Sequence, residues 1–320
     1  MYNQASQSQL REKLDYELWL LKFLSETQET FNGGSNISTV TLMNRQPTGA
    51  TIGIALTEVV GSGTAIKVMN AMMPLTFTAS FKILDMIFEW ILEENYNAGI
   101  VKNKKAPSLW PFSQKITAIQ DPKLGYPPLM QAQPYIREYT FVLYSNLLKF
   151  RHEIVHKNMF SVLDGKLKVE TSEDSRSFSV ELDRGELSAL VRIVVAAANL
   201  LTGVLSLGEQ EDCLLKYHFD RIGKLHGLAE FGQKKPILMN VELKVPVEEG
   251  VFLADLKFVR ERISQIHPGA TVLFNLKVIG LVNNKPSICW FFPIDSVPKE
   301  DIFSLQPDSH KEHLIPLRTD

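Results

Sequence analysis

Three features of the sequence predict a mainly α fold with a small mixed domain appended. Residues 74–95, 135–158 and 186–207 repeat apolar side chains at the three-to-four spacing of helices packed in a bundle. Between residues 160 and 182 the period switches to alternation, which marks a small β-meander. Past Gly232-Gln233-Lys234-Lys235-Pro236 the pattern changes again, to strands around a single helix. The expected organisation is a helical bundle with a β-meander insertion over 1–231, then a small α+β domain of β-α-β-β order over 232–320 with a polar C-terminal tail.

The chain has 320 residues and a formal charge of -2, so its size allows two domains and its charge gives no global signal for nucleic acid. Any RNA contact must come from a local basic surface. Cys213 and Cys289 are the only cysteines and form no C-x-x-C pair, which argues against a disulfide framework or a thiolate metal site and fits a reducing compartment. The first nine residues are polar and lack the apolar centre of a signal peptide. No run looks long and apolar enough to span a membrane, and a cytoplasmic location is expected.

Residues 8–30 read as a helix through Leu10, Leu14, Leu18, Leu21 and Leu24, stopped by Asn32-Gly33-Gly34. The β-branched runs 38–42 and 51–56 read as short strands joined at Gln46-Pro47-Thr48-Gly49. Gly61-Ser62-Gly63-Thr64 lacks the G-K-[ST] ending of a phosphate loop and reads as a turn. A strongly apolar helix starts at Pro74. Residues 96–134 hold Lys102, Lys104, Lys105, Trp110 and six prolines without a regular period, and read as an irregular surface connection. Trp110 is its one candidate for base stacking. The helix over 135–158 runs into strands 160–163, 166–170 and 177–182, turned at Asp164-Gly165. Helix 186–207 follows, and one or two more polar helices over 208–230. The last domain reads as strands 237–245 and 271–282, a helix over 255–266, and a hairpin at Asn283-Asn284 into 287–292. Trp90 reads as core, and Trp290 as strand core or interface. His218 and His226 suit surface or capping roles, and His267 a turn.

Chemistry concentrates in Lys149-Phe150-Arg151-His152-Glu153-Ile154-Val155-His156-Lys157, which holds two overlapping patterns. His152, Glu153 and His156 spell H-E-x-x-H: two imidazoles on one helix face with a carboxylate between them, as in a zinc-dependent hydrolase. The surroundings fit poorly. Lys157 and Asn158 follow at once, the metzincin glycine and third histidine are missing, and a third ligand would have to be Glu181 or Glu186. Arg151 and His156 spell R-x-x-x-x-H. On a straight helix these two are turned about 140° apart and separated by about 7.5 Å of rise, so one helix alone would not aim both at one point unless the long arginine stem swings round or the helix loosens near its end.

The region resembles the HEPN family of helical-bundle ribonucleases. The resemblance lies in an apolar helix over 139–150 that ends in Arg151-His152-x-x-x-His156, with a polar residue directly after the arginine. Apolar helices lie before and after it. It covers residues 8–205 in architecture, six positions in motif and nothing in 231–320. It implies a HEPN-like antiparallel helical bundle and a homodimer in which motif helices from two subunits meet at a cleft. The implied activity is metal-independent, cofactor-free cleavage of RNA in single strands or loops, leaving 2′,3′-cyclic phosphate and 5′-hydroxyl ends. Such chemistry needs a group near neutral pKa to move protons, here His156, and a planar cation for the phosphorane, here Arg151. His152 and Glu153 would support them, and Lys149 and Lys157 would hold the RNA backbone. The resemblance also implies a role in toxin or antiviral defence. The C-terminal domain, which it does not cover, could sense a trigger, bind a regulatory partner or restrain the nuclease. A plainer reading makes Arg151, Glu153 and Lys157 the solvated face of a helix, with Glu153 and Lys157 an ordinary i,i+4 pair. The bundle would then bind or dimerise without catalysis.

Overall fold

The computed structural model describes residues 1–32, 50–173, 176–248, 250–306 and 309–316. Among these the chain is about 54% helical and 21% strand, with nine helices and two sheets. It is therefore a mixed α+β protein with a helical majority rather than a mainly α one. It divides into two compact units. One comprises Met1–Ser206 with Arg221–Glu230, the other Leu207–Asp220 with Phe231–Asp320. The polar helix before the Gly232 linker thus belongs mostly with the C-terminal residues.

In the first unit, α1 (Gln4–Asn32) buries Leu10, Leu14, Leu21 and Leu24 along one stripe. It packs on α2 (Ala50–Asn97), where Phe77, Phe81, Leu84, Phe88 and Ile91 are buried. Polar groups pin the pair: the Trp90 indole N–H donates to Ser6 Oγ at 2.9 Å, and Lys13 pairs with Glu93 at 2.5 Å. Two short helices follow, α3 (Phe112–Ile119) and α4 (Pro128–Ala132). Next come α5 (Pro134–His152) and a π turn (Glu153–Lys157). Strands β1 (Phe160–Leu163), β2 (Lys166–Glu173) and β3 (Arg176–Asp183) form an antiparallel meander with Leu167, Val169, Val180 and Leu182 buried. α6 (Arg184–Leu201) starts at a capping box: Asp183 accepts from the Glu186 N–H, and Glu186 accepts from the Asp183 N–H. It returns Leu187, Leu190, Val194 and Leu201 to the interior.

In the second unit, α7 (Glu209–Arg221) ends at Asp220, whose carboxylate accepts the N–H groups of Phe231 and Gln233 at 2.7 Å each. α8 (Gly223–His226) returns to the first unit. The remaining elements are β4 (Ile237–Glu248), β5 (Val251–Asp255), α9 (Leu256–Ile266), β6 (Val272–Val282), β7 (Lys285–Phe292) and β8 (Ile302–Leu305). The sheet order is β7-β6-β4-β5-β8, with β4 and β6 parallel and the other neighbours antiparallel. Trp290, Phe252, Phe292 and Leu305 form its core.

Several expectations need correction. Residues 51–56 are helical, not a strand, and Gly61-Ser62-Gly63-Thr64 lies inside the same helix rather than in a turn. Propensity differences of under about 1 kcal/mol per residue yield to the continuity of a long apolar helix. Pro74 does not start α2 but sits within it. Thr78 hydroxyl donation to the Pro74 carbonyl at 3.0 Å accompanies the break in the backbone ladder. The strand expected at 38–42 and the turn at 46–49 lie outside the described residues. The segment 96–134 is not irregular throughout, because its prolines open short helices: Pro107, Pro128 and Pro134 occupy first-turn positions where a missing N–H costs nothing. Trp110 is buried, with its indole N–H on the Lys105 carbonyl at 2.8 Å, so it offers no face for a base. The C-terminal domain has five strands rather than three. Its supposed tail supplies β8 with fully buried Leu305 and a bridge from Leu314 to Trp290. The Asn70–Asn97 part of α2 is long and apolar enough to cross a membrane by length and composition. However, 61% of its most apolar window is buried inside the protein. Trp90 and Trp290 are core residues, as expected.

Gly280 makes the tightest fit in the five-stranded sheet. A Cβ there would lie 2.6 Å from Ile288 Cγ2 and 2.7 Å from the Phe252 ring. Gly280→Ala is therefore expected to destabilise the second unit by about 1–3 kcal/mol, measured as a lower denaturation midpoint.

Candidate active site

The candidate residues occupy the C-terminal end of α5, where the helix changes period. Up to His152 the backbone is α-helical, and Leu143, Tyr144 and Leu147 face inward. From Glu153 to Lys157 it widens into a π turn. The Glu153 carbonyl accepts two N–H groups, from Asn158 and, at 3.0 Å, from Met159. Asn158 closes the turn in the left-handed region at φ 52, a conformation asparagine tolerates better than most residues.

This widening changes what the motif can do. In a π turn the hydrogen bond runs from i to i+5, here from the Asn158 N–H to the Glu153 carbonyl, and the widened turn lies between Arg151 and His156. Arg151 Nη1 and His156 Nε2 stand 2.9 Å apart. The expectation that a single helix would hold them apart fails for this reason, and one chain suffices to join the pair. A guanidinium only donates, so His156 Nε2 accepts in this contact and the ring proton belongs on Nδ1. His152 and His156 are both exposed, with ring centroids 5.0 Å apart. Lys149 is exposed on the last turn of α5.

Glu153 faces the other way. It is buried, and its Oε1 accepts from Lys157 Nζ and from Thr171 Oγ1 on β2, each at 2.9 Å. Its Oε2 is buried without a hydrogen-bond partner among the described residues. The Lys157 hydrogen bond, reinforced by Thr171, holds the Glu153 carboxyl below the usual range against the opposing effect of burial. Glu153 is thus an anchor joining the π turn to the meander, not a group poised between two histidines. Lys157, exposed at its side chain, pairs with it as an ordinary i,i+4 ion pair. The same orientation removes the general base from the H-E-x-x-H reading. Among the described residues no group of three or more His, Cys, Asp or Glu is arranged to hold a metal.

On its other side Arg151 borders a cleft of about 310 Å³. Its guanidinium carbon lies 5.7 Å from the centre of the Phe112 ring, a cation–π arrangement. Beside the cleft sits a charge cluster around the buried Lys115. Lys115 Nζ donates to Asp85 at 3.0 and 3.2 Å and to Glu89 at 2.8 Å, and the Tyr144 hydroxyl donates to Asp85 at 2.8 Å. Burial pulls the Lys115 ammonium down, but Glu89 and Asp85 together outweigh it and its pKa is raised. Burial, then the Asp85 charge, pushes the Tyr144 hydroxyl far above its ordinary value. Motif reading around Arg151 missed this cluster. Its trace in the sequence is the i,i+4 pair Asp85 and Glu89 amid the buried apolar residues of α2, since buried charges require partners.

The weaker histidines are structural. His226 is buried, accepts the Leu228 N–H at 3.0 Å through Nδ1 and lies 4.9 Å from the Tyr139 ring. His267 caps the end of α9. Cys213 and Cys289 are free thiols whose pKa values burial raises.

Comparison with protein-family models, curated proteins and solved structures finds no match to the chain.

The Glu153 anchor has a pH signature. A carboxylate whose folded pKa is depressed contributes stability above its ordinary value near 4.5, and that contribution is lost as pH falls through the lower folded value. Glu153→Gln should cost about 1–3 kcal/mol at pH 7, and the difference from wild type should shrink below pH 4.5 in paired denaturation curves.

Proposed function

We propose that the protein is a metal-independent endoribonuclease of the HEPN type, with the exposed Arg151–His156 pair as its reactive centre. The observation that carries this reading is the 2.9 Å contact between a guanidinium and an imidazole at a solvent-facing helix end. Each suits phosphodiester cleavage: a planar cation for phosphate oxygens and an imidazole for proton transfer.

In the proposed reaction the scissile phosphate binds Arg151, drawing its guanidinium from His156. The imidazole Nε2 so released accepts the proton of the 2′-hydroxyl. The 2′-oxygen attacks phosphorus, and Arg151 stabilises the charge that builds on the non-bridging oxygens. The P–O5′ bond then breaks, and the departing oxygen takes a proton from an imidazolium, leaving a 2′,3′-cyclic phosphate and a 5′-hydroxyl. His152, with its ring 5.0 Å from that of His156, is placed to assist proton transfer. Lys149 supplies backbone attraction. Under this reading the enzyme acts on single-stranded or looped RNA in the cytoplasm as a homodimer, in a toxin or antiviral system, and the second unit serves a regulatory partner. The dimer would present two complete pairs rather than assemble one.

His156→Ala and Arg151→Ala should each lower cleavage of single-stranded RNA by at least about 100-fold, while EDTA leaves the wild-type rate unchanged. Cleavage retained in both variants would sink the proposal. A folded protein that binds RNA but cuts none would mark a binding bundle instead.

A further inference from the structure

We propose that the α1 face beside the Arg151 cleft is an interface with a second copy of this chain. The ribonuclease reading calls for a homodimer without assigning its contact surface. This assignment rests on the shape and charge of the surface, not on RNA cleavage.

α1 carries two apolar stripes. Leu10, Leu14, Leu21 and Leu24 make the buried one. Tyr16, Trp19 and Phe23 make the second, within about 60° of one another around the helix. Tyr16 is 64% and Trp19 58% exposed. Their rings form a row, with Tyr16 and Trp19 6.2 Å apart and Trp19 and Phe23 stacked at 5.8 Å with 13° between planes. Single exposed apolar side chains are ordinary, but a contiguous set marks an interaction surface. Beside this row the surface is hollow. Leu20, turned about 40–60° from Tyr16 and Phe23, lines the cleft of about 310 Å³ together with Leu75 and Val155. Leu75 is 56% and Val155 48% exposed, so the rim is apolar and open.

Two observations point to a second copy as the occupant. First, a protrusion and a recess lie side by side on one patch. A two-fold dimer requires a self-complementary surface, and an axis passing between the two, near Leu20, seats the aromatic row of each copy in the recess of the other. Second, the charges are complementary in the same sense. Glu12 is exposed on the aromatic stripe, one turn before Tyr16. Lys82 and Arg151 line the recess, and the Lys82 side chain is 60% exposed even though it pairs with Glu17. Arg11, Asp15 and Lys22 are exposed on the far border of the stripe. Nucleic acid fits this face less well: the stacked rings already cover one another's faces, and Glu12 repels phosphate. With about 150–250 Å² per aromatic side chain, Tyr16 and Trp19 leave roughly 200–300 Å² uncovered. Stable complexes bury about 800 Å² per partner, so surrounding polar surface must contribute and the dimer should dissociate on dilution.

The test is sedimentation equilibrium of the full-length chain over a range of concentrations. Wild type should shift from the mass of one chain toward that of two as concentration rises. Trp19→Ala removes the protrusion, and Leu75→Glu closes the recess to an apolar ring. Both positions are exposed, and circular dichroism checks that each variant keeps the wild-type fold. Each should weaken self-association at least about tenfold. An equimolar mixture of the two should recover part of it, because the aromatic row of the Leu75→Glu chain meets the open recess of the Trp19→Ala chain. Wild type that stays monomeric throughout, undiminished association in either variant, or a mixture no heavier than its parts overturns the interface. Loss of single-stranded oligonucleotide binding in Trp19→Ala with self-association unchanged also overturns it and assigns the patch to nucleic acid. RNA cleavage by a strict monomer removes the interface and leaves the nuclease activity standing. The expected dimer without any RNA cleavage supports the interface and removes the ribonuclease reading.

Discussion

The arrangement of the site depends on one constraint, a change of helical period over five residues. A straight α-helix would leave Arg151 and His156 on different faces. The π turn Glu153–Lys157 widens the helix between Arg151, on the last α-helical turn, and His156, and the two side chains stand in contact. Such turns are rare because they widen the helix and weaken its packing, and this one is held from both sides. Asn158 ends it in a left-handed conformation, and the Glu153 carbonyl gathers two N–H groups. Inside, the Glu153 carboxylate reaches Thr171 on β2. The meander therefore has a task beyond covering the bundle: it supplies the hydroxyl that holds the turn.

A second constraint lies underneath. Lys115 comes from a short helix with Pro111 at its N-cap, and its ammonium is buried between Asp85 and Glu89 of α2. Removing one charge from such a set would leave the others uncompensated. The cluster ties α3 to the bundle and sets Phe112 beneath Arg151. The cleft and the Arg151–His156 pair thus share one arginine. That arginine is oriented by an aromatic ring on one side and an imidazole on the other.

Sequence reading and structure diverge mainly where one residue type serves two purposes. Prolines between 107 and 134 suggest irregular chain but start helices, since the first turn has no use for the missing N–H. Pro74 suggests a helix start but lies inside one. Trp110 looks available in a loop but is buried against it. Glu153 reads as a possible catalytic partner because H-E-x-x-H is a pattern of spacing alone. Spacing does not say which way the carboxylate points, and here it points to Thr171.

The sequence by itself determined the large pieces: the apolar helices, the meander turned at Asp164-Gly165, the shift to strands after residue 236, and the concentration of chemistry at 149–157. These follow from local periodicity, which is written in each segment independently of the others. Only the tertiary structure decided that α2 runs unbroken through Pro74, that the last thirty residues add a strand, and that Arg151 meets His156. Those outcomes turn on groups distant in sequence. The strand depends on β5 pairing with β8, and the Glu153 anchor of the π turn on Thr171, eighteen residues on. The cleft beside Arg151 was illegible for the same reason, since Glu17, Asp85 and Phe112 share no local pattern and meet only when α1, α2 and α3 pack.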